Sequence, residues 1–464
     1  MSIIIPANSA AGGAGYQVDN SCRFNSGSSD SLSRSSTAGN KKTWTFSFWL
    51  KRSKLDVLQF IAFSDVVNYF RMRITSGNVF EIFDSNGNNT WNWGNLLRDT
   101  SAWYHLVLRA DSTDGTNGNR LRLYINGTLA SANTVASISQ GYDFSFNQGG
   151  TFKIAEFSGN NYLDGYLAET ILIDGQALAP TDFGEFDEDS GIWKPIDVSG
   201  LTFGSQGFYL DYKDSGALGN DVSGNNKDFT ANNLTSIDQS TDTCTNNFCT
   251  PNSLYPPSNG SVVFSEGNLK TVFSTYSQSP NGTMGAYSGK WYYEMKMADT
   301  HARFGWCESH CPQGDTDSDS TFPAYAIYSN GSNGLSVYKN VTARGITLNT
   351  GYTSWSAGNI VGIAFDIDNG KFYAHLNGTY YNSGNPASGS GALITGITAQ
   401  EGGLFIPYLN CGTSSSKTFE WNFGSPPYAI SSGNTDGNDR GDFEYEVPSG
   451  YLALCTKNIS EASS

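Results

Sequence analysis

Basic residues are scarce in this chain of 464 residues: 27 Lys and Arg stand against 43 Asp and Glu, for a formal net charge of −16. That balance argues against nucleic acid as a partner, because phosphate contacts need clustered Lys and Arg and no basic run supplies them. Long apolar runs are also missing. None approaches the roughly 20 residues of a membrane span, so no membrane insertion is expected. The N-terminal MSIIIPANSAAGGAGY has no basic start and only three consecutive apolar residues, unlike a secretory signal. Charged residues make up only 15%, too few for the exposed faces of helical bundles. No amphipathic helix of three turns can be drawn; Ala179 to Phe186, with Pro180 at a first-turn position, predicts one short helical turn. Heptads are absent, so a homo-oligomer such as a trimer has to form through sheet faces, loops or the N-terminal leader.

Cysteine is sparse and odd in number. Cys22, Cys244, Cys249, Cys307, Cys311, Cys411 and Cys455 cannot all pair within one chain, which points to reduced thiols in a bacterial cytoplasm, at least during folding. Cys307-Glu308-Ser309-His310-Cys311 looks like half a zinc site, but no second ligand pair at metal spacing follows.

What is abundant is glycine (52) and aromatics (28 Phe, 25 Tyr, 10 Trp), a balance that fits sheets with many turns. In SAWYHLVLRADSTDGTNGNRLRLYING, Tyr104, Leu106, Leu108 and Ala110 alternate with Trp103, His105, Val107 and Arg109. A polar Gly/Asn stretch then turns the chain. Leu121, Leu123 and Ile125 form a second strand that closes on Asn126-Gly127, a tight-turn pair. The design returns some 250 residues later: Val361, Ile363, Phe365 and Ile367 alternate, Asp368-Asn369-Gly370 turns, and Phe372, Ala374 and Leu376 lead to Asn377-Gly378. Two hairpins of one design predict two sheet domains of related architecture.

The ordered segments YQVDNSCRFNSGSSDSLSRS, TWTFSFWLKR, SAWYHLVLRAD, NRLRLYINGTL and YLDGYLAETILIDGQALAPTDFGEF resemble the laminin-G-like (concanavalin A-like) jelly-roll domain over about residues 16–190. The form they look most like occurs in structural proteins of tailed bacteriophages. From Val262 onward, GKWYYE, FGW, NIVGIAFDIDNGKFYAHLNG, WNFG and PSGYLAL resemble the SPRY domain, with residues 307–321 departing from its usual spacing. These resemblances imply an all-β chain of two concanavalin A-like antiparallel β-sandwich domains joined by an irregular connector. The expected boundaries are a leader at 1–17, a first sandwich at 18–212, a connector at 213–261, a second sandwich at 262–456 and a tail at 457–464.

Candidate chemistry is thin. Sandwich glycosidases set two carboxylates on one strand face, but Glu185-Phe186-Asp187-Glu188-Asp189 follows the predicted helical turn and Glu444-Tyr445-Glu446 sits beside turn residues. No Ser-centred elbow, phosphate loop or HExxH is present, and no catalysis is expected. No cofactor is required, although Asp111, Asp114, Asp315, Asp317 and Asp319 offer the oxygen ligands calcium takes, against the plainer reading of solvated acidic loops. For carbohydrate, Trp91-Asn92-Trp93 is the strongest candidate, since residues two apart share a strand face and indole faces suit sugar C–H groups; Tyr69 and Asp65 are expected nearby. Ordinary core or edge packing is the plainer reading of the same residues. Ile3, Ile4 and Ile5 form either a frayed end or a docking arm that adds a strand to a partner.

The resemblance implies a non-enzymatic phage virion surface protein, a tail fibre or head decoration carrying lectin-like modules for host-surface glycan adsorption, whereas composition and hairpins imply only two acidic sandwiches without an export signal. Its partners would be other virion proteins and a host-surface glycan or receptor. A purely structural capsid decoration (cement) protein and a polysaccharide depolymerase are the alternatives.

Overall fold

The computed structural model describes residues 15–65, 67–135, 137–254, 262–274, 280–308, 324–330, 335–338, 352–399, 403–410 and 416–462. They form two compact units that divide between Asn246 and Asn247, each built from antiparallel sheets apart from one short parallel pair, Leu452–Ala453 beside Lys290–Met297. The leader residues Ile3, Ile4 and Ile5, and the loop carboxylates Asp315, Asp317 and Asp319, lie outside the described residues.

In the first unit, the strand Thr43–Arg52 pairs on one side with Trp103–Asp111 and on the other with Gly165–Asp174. The predicted hairpin continues through Leu121–Ile125 to Thr128–Leu129. A second sheet runs Ala132–Val135, Asn89–Leu96, Val79–Asp84, Tyr69–Ile74, Gln59–Asp65, Gly150–Ile154, Ser31–Ser36 and Thr230–Asn232 in spatial order. Between the sheets lies one apolar core in which Trp44, Phe46, Phe48 and Leu50 pack with Phe70, Met72, Phe80 and Ile82. Trp44 meets Phe70 and Phe144 edge-on at 5.9 and 5.6 Å, the geometry that ring quadrupoles favour.

The second unit repeats the plan. Lys290–Met297 lies between Lys417–Asn422 and Ile360–Asp366, and Ile360–Asp366 continues the hairpin through Lys371–Leu376 to Thr379–Tyr380. A four-stranded sheet runs Leu335–Tyr338, Ala324–Asn330, His301–Glu308 and Phe405–Asn410. Its core holds Trp291, Trp306, Trp355 and Trp421.

Both hairpins close the same way. Asn126 and Gly127 have φ of 48° and 74°, and Asn377 and Gly378 have 47° and 82°, the left-handed pair of a two-residue hairpin turn. Each Asn side chain also caps the neighbouring strand: Asn126 Oδ1 accepts from His105 N at 2.7 Å, and Asn377 Oδ1 from Ile360 N at 2.9 Å. Gly127 is required twice over, because a Cβ there would lie 2.4 Å from the Trp193 ring.

The boundaries expected from sequence need correction at two places. Residues 213–246 are no connector: Thr230–Asn232 adds an edge strand beside Ser31–Ser36, and Gln239–Ser240 adds one beside Ser21–Phe24. Phe229 and Leu218 enter the first core. Asp221 folds the polar stretch onto the sheet, its carboxylate accepting from Tyr209 N and Lys227 N at 2.9 and 2.8 Å. From Phe248, which bridges to Cys455, the chain belongs to the second unit. The expected C-terminal tail is a helix, Thr456–Ala462, seated by buried Asn458 and Ile459. The predicted helical turn near Pro180 is a single 3-10 turn, Pro180–Asp182.

Candidate functional site: the outer face of the second sheet of the first unit

Strand alternation gives this sheet one face toward the core and one away from it. Trp91 and Trp93 are 1% and 4% exposed and belong to the core, Trp93 packing 6.0 Å from Phe80. This corrects the expected tryptophan platform for sugar. The two indoles do share a face, but it is the one that meets the opposite sheet, so neither is available to a ligand. Asn92 and Tyr69 sit on the other face.

That outer face is laid out in transverse rows. Ser33, Lys153, Phe63, Arg71, Phe83 and Thr90 are successive register partners across six strands. Phe60, Arg73, Glu81 and Asn92 form the row on one side, and Thr151, Asp65 and Tyr69 the row on the other. The Glu156–Phe157 and Asn161–Tyr162 hairpin folds alongside, stacking Phe157 on Phe60 at 4.7 Å and setting it edge-on to Phe63 at 5.0 Å. Phe60 and Phe63 are thereby buried, whereas Tyr69, Arg71, Phe83 and Phe157 are half-buried.

Arg71 is the centre of this face. Its guanidinium carbon lies 4.7 Å from the Phe83 ring centroid, 5.4 Å from Phe157 and 5.9 Å from Tyr69, a cation–π arrangement. Burial, and after it the charge of Arg73, lowers the pKa of this guanidinium. The other cations on the face are matched: Arg73 pairs with Glu81 at 2.5 Å and Lys153 with Glu156 at 2.5 Å. Half-exposed rings beside amide and charged groups provide apolar contact for sugar C–H faces and hydrogen bonds for hydroxyls. The alternation of Tyr69, Arg71 and Arg73 against Phe70, Met72 and Ile74 marks this face in the sequence; Asn92, Tyr69 and Asp65, expected around a tryptophan platform, lie on it, whereas Arg71, Phe83 and Phe157 carry no signal that singles them out.

The remaining candidates are turn-makers or buried groups. Asp111 Oδ1 accepts from Thr113 N and Oγ1 at 3.1 and 2.6 Å, and Asp114 Oδ1 from Thr116 N at 2.7 Å. Among the described residues, no three His, Cys, Asp or Glu side chains converge as a metal would need. Asp187 is likewise in a turn, its carboxylate held well below the usual range by hydrogen bonds from Ser190 and Lys194. Glu444 accepts from Ser431 N and Oγ. The five described cysteines, Cys22, Cys244, Cys249, Cys307 and Cys455, are thiols.

Two histidines, one per unit, share a tautomer. His105 Nδ1 accepts from the Trp193 indole at 2.9 Å, leaving Nε2–H to face Ser47 Oγ at 2.9 Å. His375 Nδ1 accepts from Gly378 N at 3.1 Å, leaving Nε2–H to face the Tyr292 hydroxyl at 2.7 Å. Burial pushes both down to about 3. Tyr292 in turn donates to Glu294 at 3.0 Å, and Glu294 also accepts from Glu444 N and Tyr445 N. In the first unit, Glu169 sits on a strand irregularity with φ of 48° and accepts from Tyr209 and Tyr16 at 2.7 and 3.2 Å. Burial pushes both glutamates up to about 7.

Comparison with known proteins finds a family match within each unit. Residues 25–181 match the family model of the concanavalin A-like lectin/glucanases superfamily, and residues 290–425 match the SPRY domain. Among solved structures, the chain is similar to a native heptameric SAP-like pentraxin from Limulus polyphemus, with 17% identity, 36% of this chain and 75% of that chain covered, and a TM-score of 0.26. It is also similar to the SPRY domain of human HERC1, with 13% identity, 34% and 91% covered, and a TM-score of 0.26. No curated protein sequence matches.

Proposed function

We propose that this chain, a concanavalin A-like domain followed by a SPRY domain, is a non-enzymatic carbohydrate-binding adhesin on the surface of a tailed-phage particle, as a tail fibre or head decoration. The observation that carries the binding role is the outer sheet face of the first unit, where Arg71 lies among three half-buried rings beside Asn92, Thr90 and Tyr69. Non-enzymatic action is supported by the acidic strings, since Asp187 serves a local turn and Glu444 holds Ser431 across a loop. The particle setting rests on the likeness of the first-domain segments to phage structural proteins, together with a polar, weakly charged composition. Host-surface glycan is the ligand in this reading and other virion proteins are the assembly partners.

The test is adsorption. Labelled full-length protein should bind host cells and be displaced by their extracted surface polysaccharide. Binding to phage particles but to no host cell or glycan would favour a cement protein instead. Release of reducing ends from that polysaccharide would make the protein a depolymerase. Particle imaging that places the chain inside the capsid would remove the adhesin.

A further inference from the structure

Resting on the glycan-binding reading, we propose that Arg71 makes the outer sheet face of the first unit a subsite for a carboxylated sugar, with the guanidinium gripping the sugar carboxylate. Three cations face outward here, and two of them are neutralised within the face: Arg73 by Glu81 and Lys153 by Glu156. Arg71 has no hydrogen bond or ion pair to any described residue, and its Nε is enclosed without a partner. Asp65, the remaining acid on this face, lies one register pair away opposite Tyr69 and forms no ion pair with Arg71.

A buried or half-buried charge is costly unless something completes it. The three rings supply part of that compensation through their negative faces. They also exclude water from the guanidinium, which strengthens its attraction for an anion arriving from solvent. The planar fork of Arg matches a carboxylate in bidentate fashion. Arg71 is the one cation of this face that no carboxylate contacts, so a ligand carboxylate can complete its hydrogen bonding. Phe83 and Tyr69, flanking the same guanidinium, offer ring surface to the sugar C–H groups, and Asn92 and Asp65 offer acceptors for its hydroxyls. The ligand class is therefore a pyranose bearing a carboxylate, whether a hexuronate within a chain or a terminal nine-carbon acidic sugar.

The experiment is calorimetric titration of the full chain with three probes: a hexuronate oligosaccharide, its carboxyl-reduced counterpart, and an oligosaccharide ending in a nine-carbon acidic sugar. At least one acidic probe should bind about tenfold to a hundredfold more tightly than the reduced one, the range of a charge-assisted hydrogen-bonded pair. Arg71→Gln should remove that preference while leaving the weaker binding of the reduced probe in place, and Arg71→Lys should restore only part of it. The acidic probe that binds identifies the source of the carboxylate. Equal affinity of wild type for acidic and reduced probes overturns the proposal while leaving the glycan-binding reading standing. So does a preference that survives in Arg71→Gln. Absence of binding to every probe and to host polysaccharide defeats both. Because the first comparison uses wild type alone, it can overturn the proposal even if the variants fold poorly.

Discussion

The Lys51 ammonium meets the Asp242 carboxylate at 2.6 Å with both side chains 1% exposed, joining the central strand of the first unit to a segment nearly two hundred residues later. Trp103 Nε1 donates to the other Asp242 oxygen at 3.0 Å, so the carboxylate is satisfied on both sides. A buried pair of this kind contributes little compared with an apolar replacement, but breaking one half strands the other charge. Asp242→Asn or Lys51→Met should therefore destabilise the first unit by about 3–5 kcal/mol, measured by denaturant unfolding. A fragment ending at Tyr212 should fail to fold, whereas one ending at Asn246 should fold; a cooperative transition in the shorter fragment would contradict this boundary.

Trp91 and Trp93 are core residues, and their substitution should be felt as stability. Trp91→Ala is expected to cost about 3–5 kcal/mol and to weaken binding only as far as it unfolds the protein. Unfolding curves and binding isotherms collected on the same sample decide this. A Trp91→Ala protein with unchanged melting and lost binding would return the indole to the ligand site.

Glu294 sets a pH dependence whose sign follows from its environment. Its folded value of about 7 lies above the ordinary 4.5, because desolvation disfavours the charged form. The folded state thus holds the proton more tightly, so this contribution is full below about 4.5 and is lost as pH rises toward 7. His375 acts oppositely: lowered to about 3 from 6.5, it costs stability as pH falls through that interval. Between about pH 4.5 and 6.5 the two offset each other. Glu294→Gln removes one side, and its stability relative to wild type should rise from pH 4.5 to 7. A flat difference across that interval would mean the carboxyl keeps its ordinary value.

The hairpin turns give a backbone test. Asn126→Ala and Asn377→Ala each lose a residue that tolerates positive φ and a side-chain acceptor for a strand N–H. Each should cost about 1–2 kcal/mol. Gly127→Ala should cost more than Gly378→Ala, because the added methyl at 127 meets the Trp193 ring whereas at 378 it meets the half-buried Tyr445 ring. Thermal unfolding of the four variants provides the ranking.

Much of the fold was readable because these hairpins are local: Leu106, Leu108, Leu121 and Leu123 alternate beside turn residues whose identity fixes the register. Residues 213–246 were not readable, since Thr230–Asn232 and Gln239–Ser240 are two- or three-residue edge strands with polar side chains. What anchors them is backbone pairing to strands some two hundred residues away, and Asp221 acts through hydrogen bonds that leave no periodic trace. The Trp-Asn-Trp spacing correctly placed both indoles on one face. Which face meets the opposing sheet depends on tertiary packing, such as that of Trp91 on Phe144 some fifty residues later, so the spacing alone puts the ligand face on the wrong side. Arg71 was overlooked because an isolated Arg in a strand carries no motif; its meaning comes from three rings that only the folded sheet gathers.

The central claim, that the outer sheet face of the first unit is the ligand surface, is tested most directly by a Tyr69→Ala/Phe83→Ala double variant titrated with host surface polysaccharide. Both side chains are half-buried and outside the core cluster, so the unfolding transition should stay close to that of wild type while affinity falls at least about tenfold, the loss of one or two aromatic contacts. Unchanged affinity in a folded double variant would contradict the account.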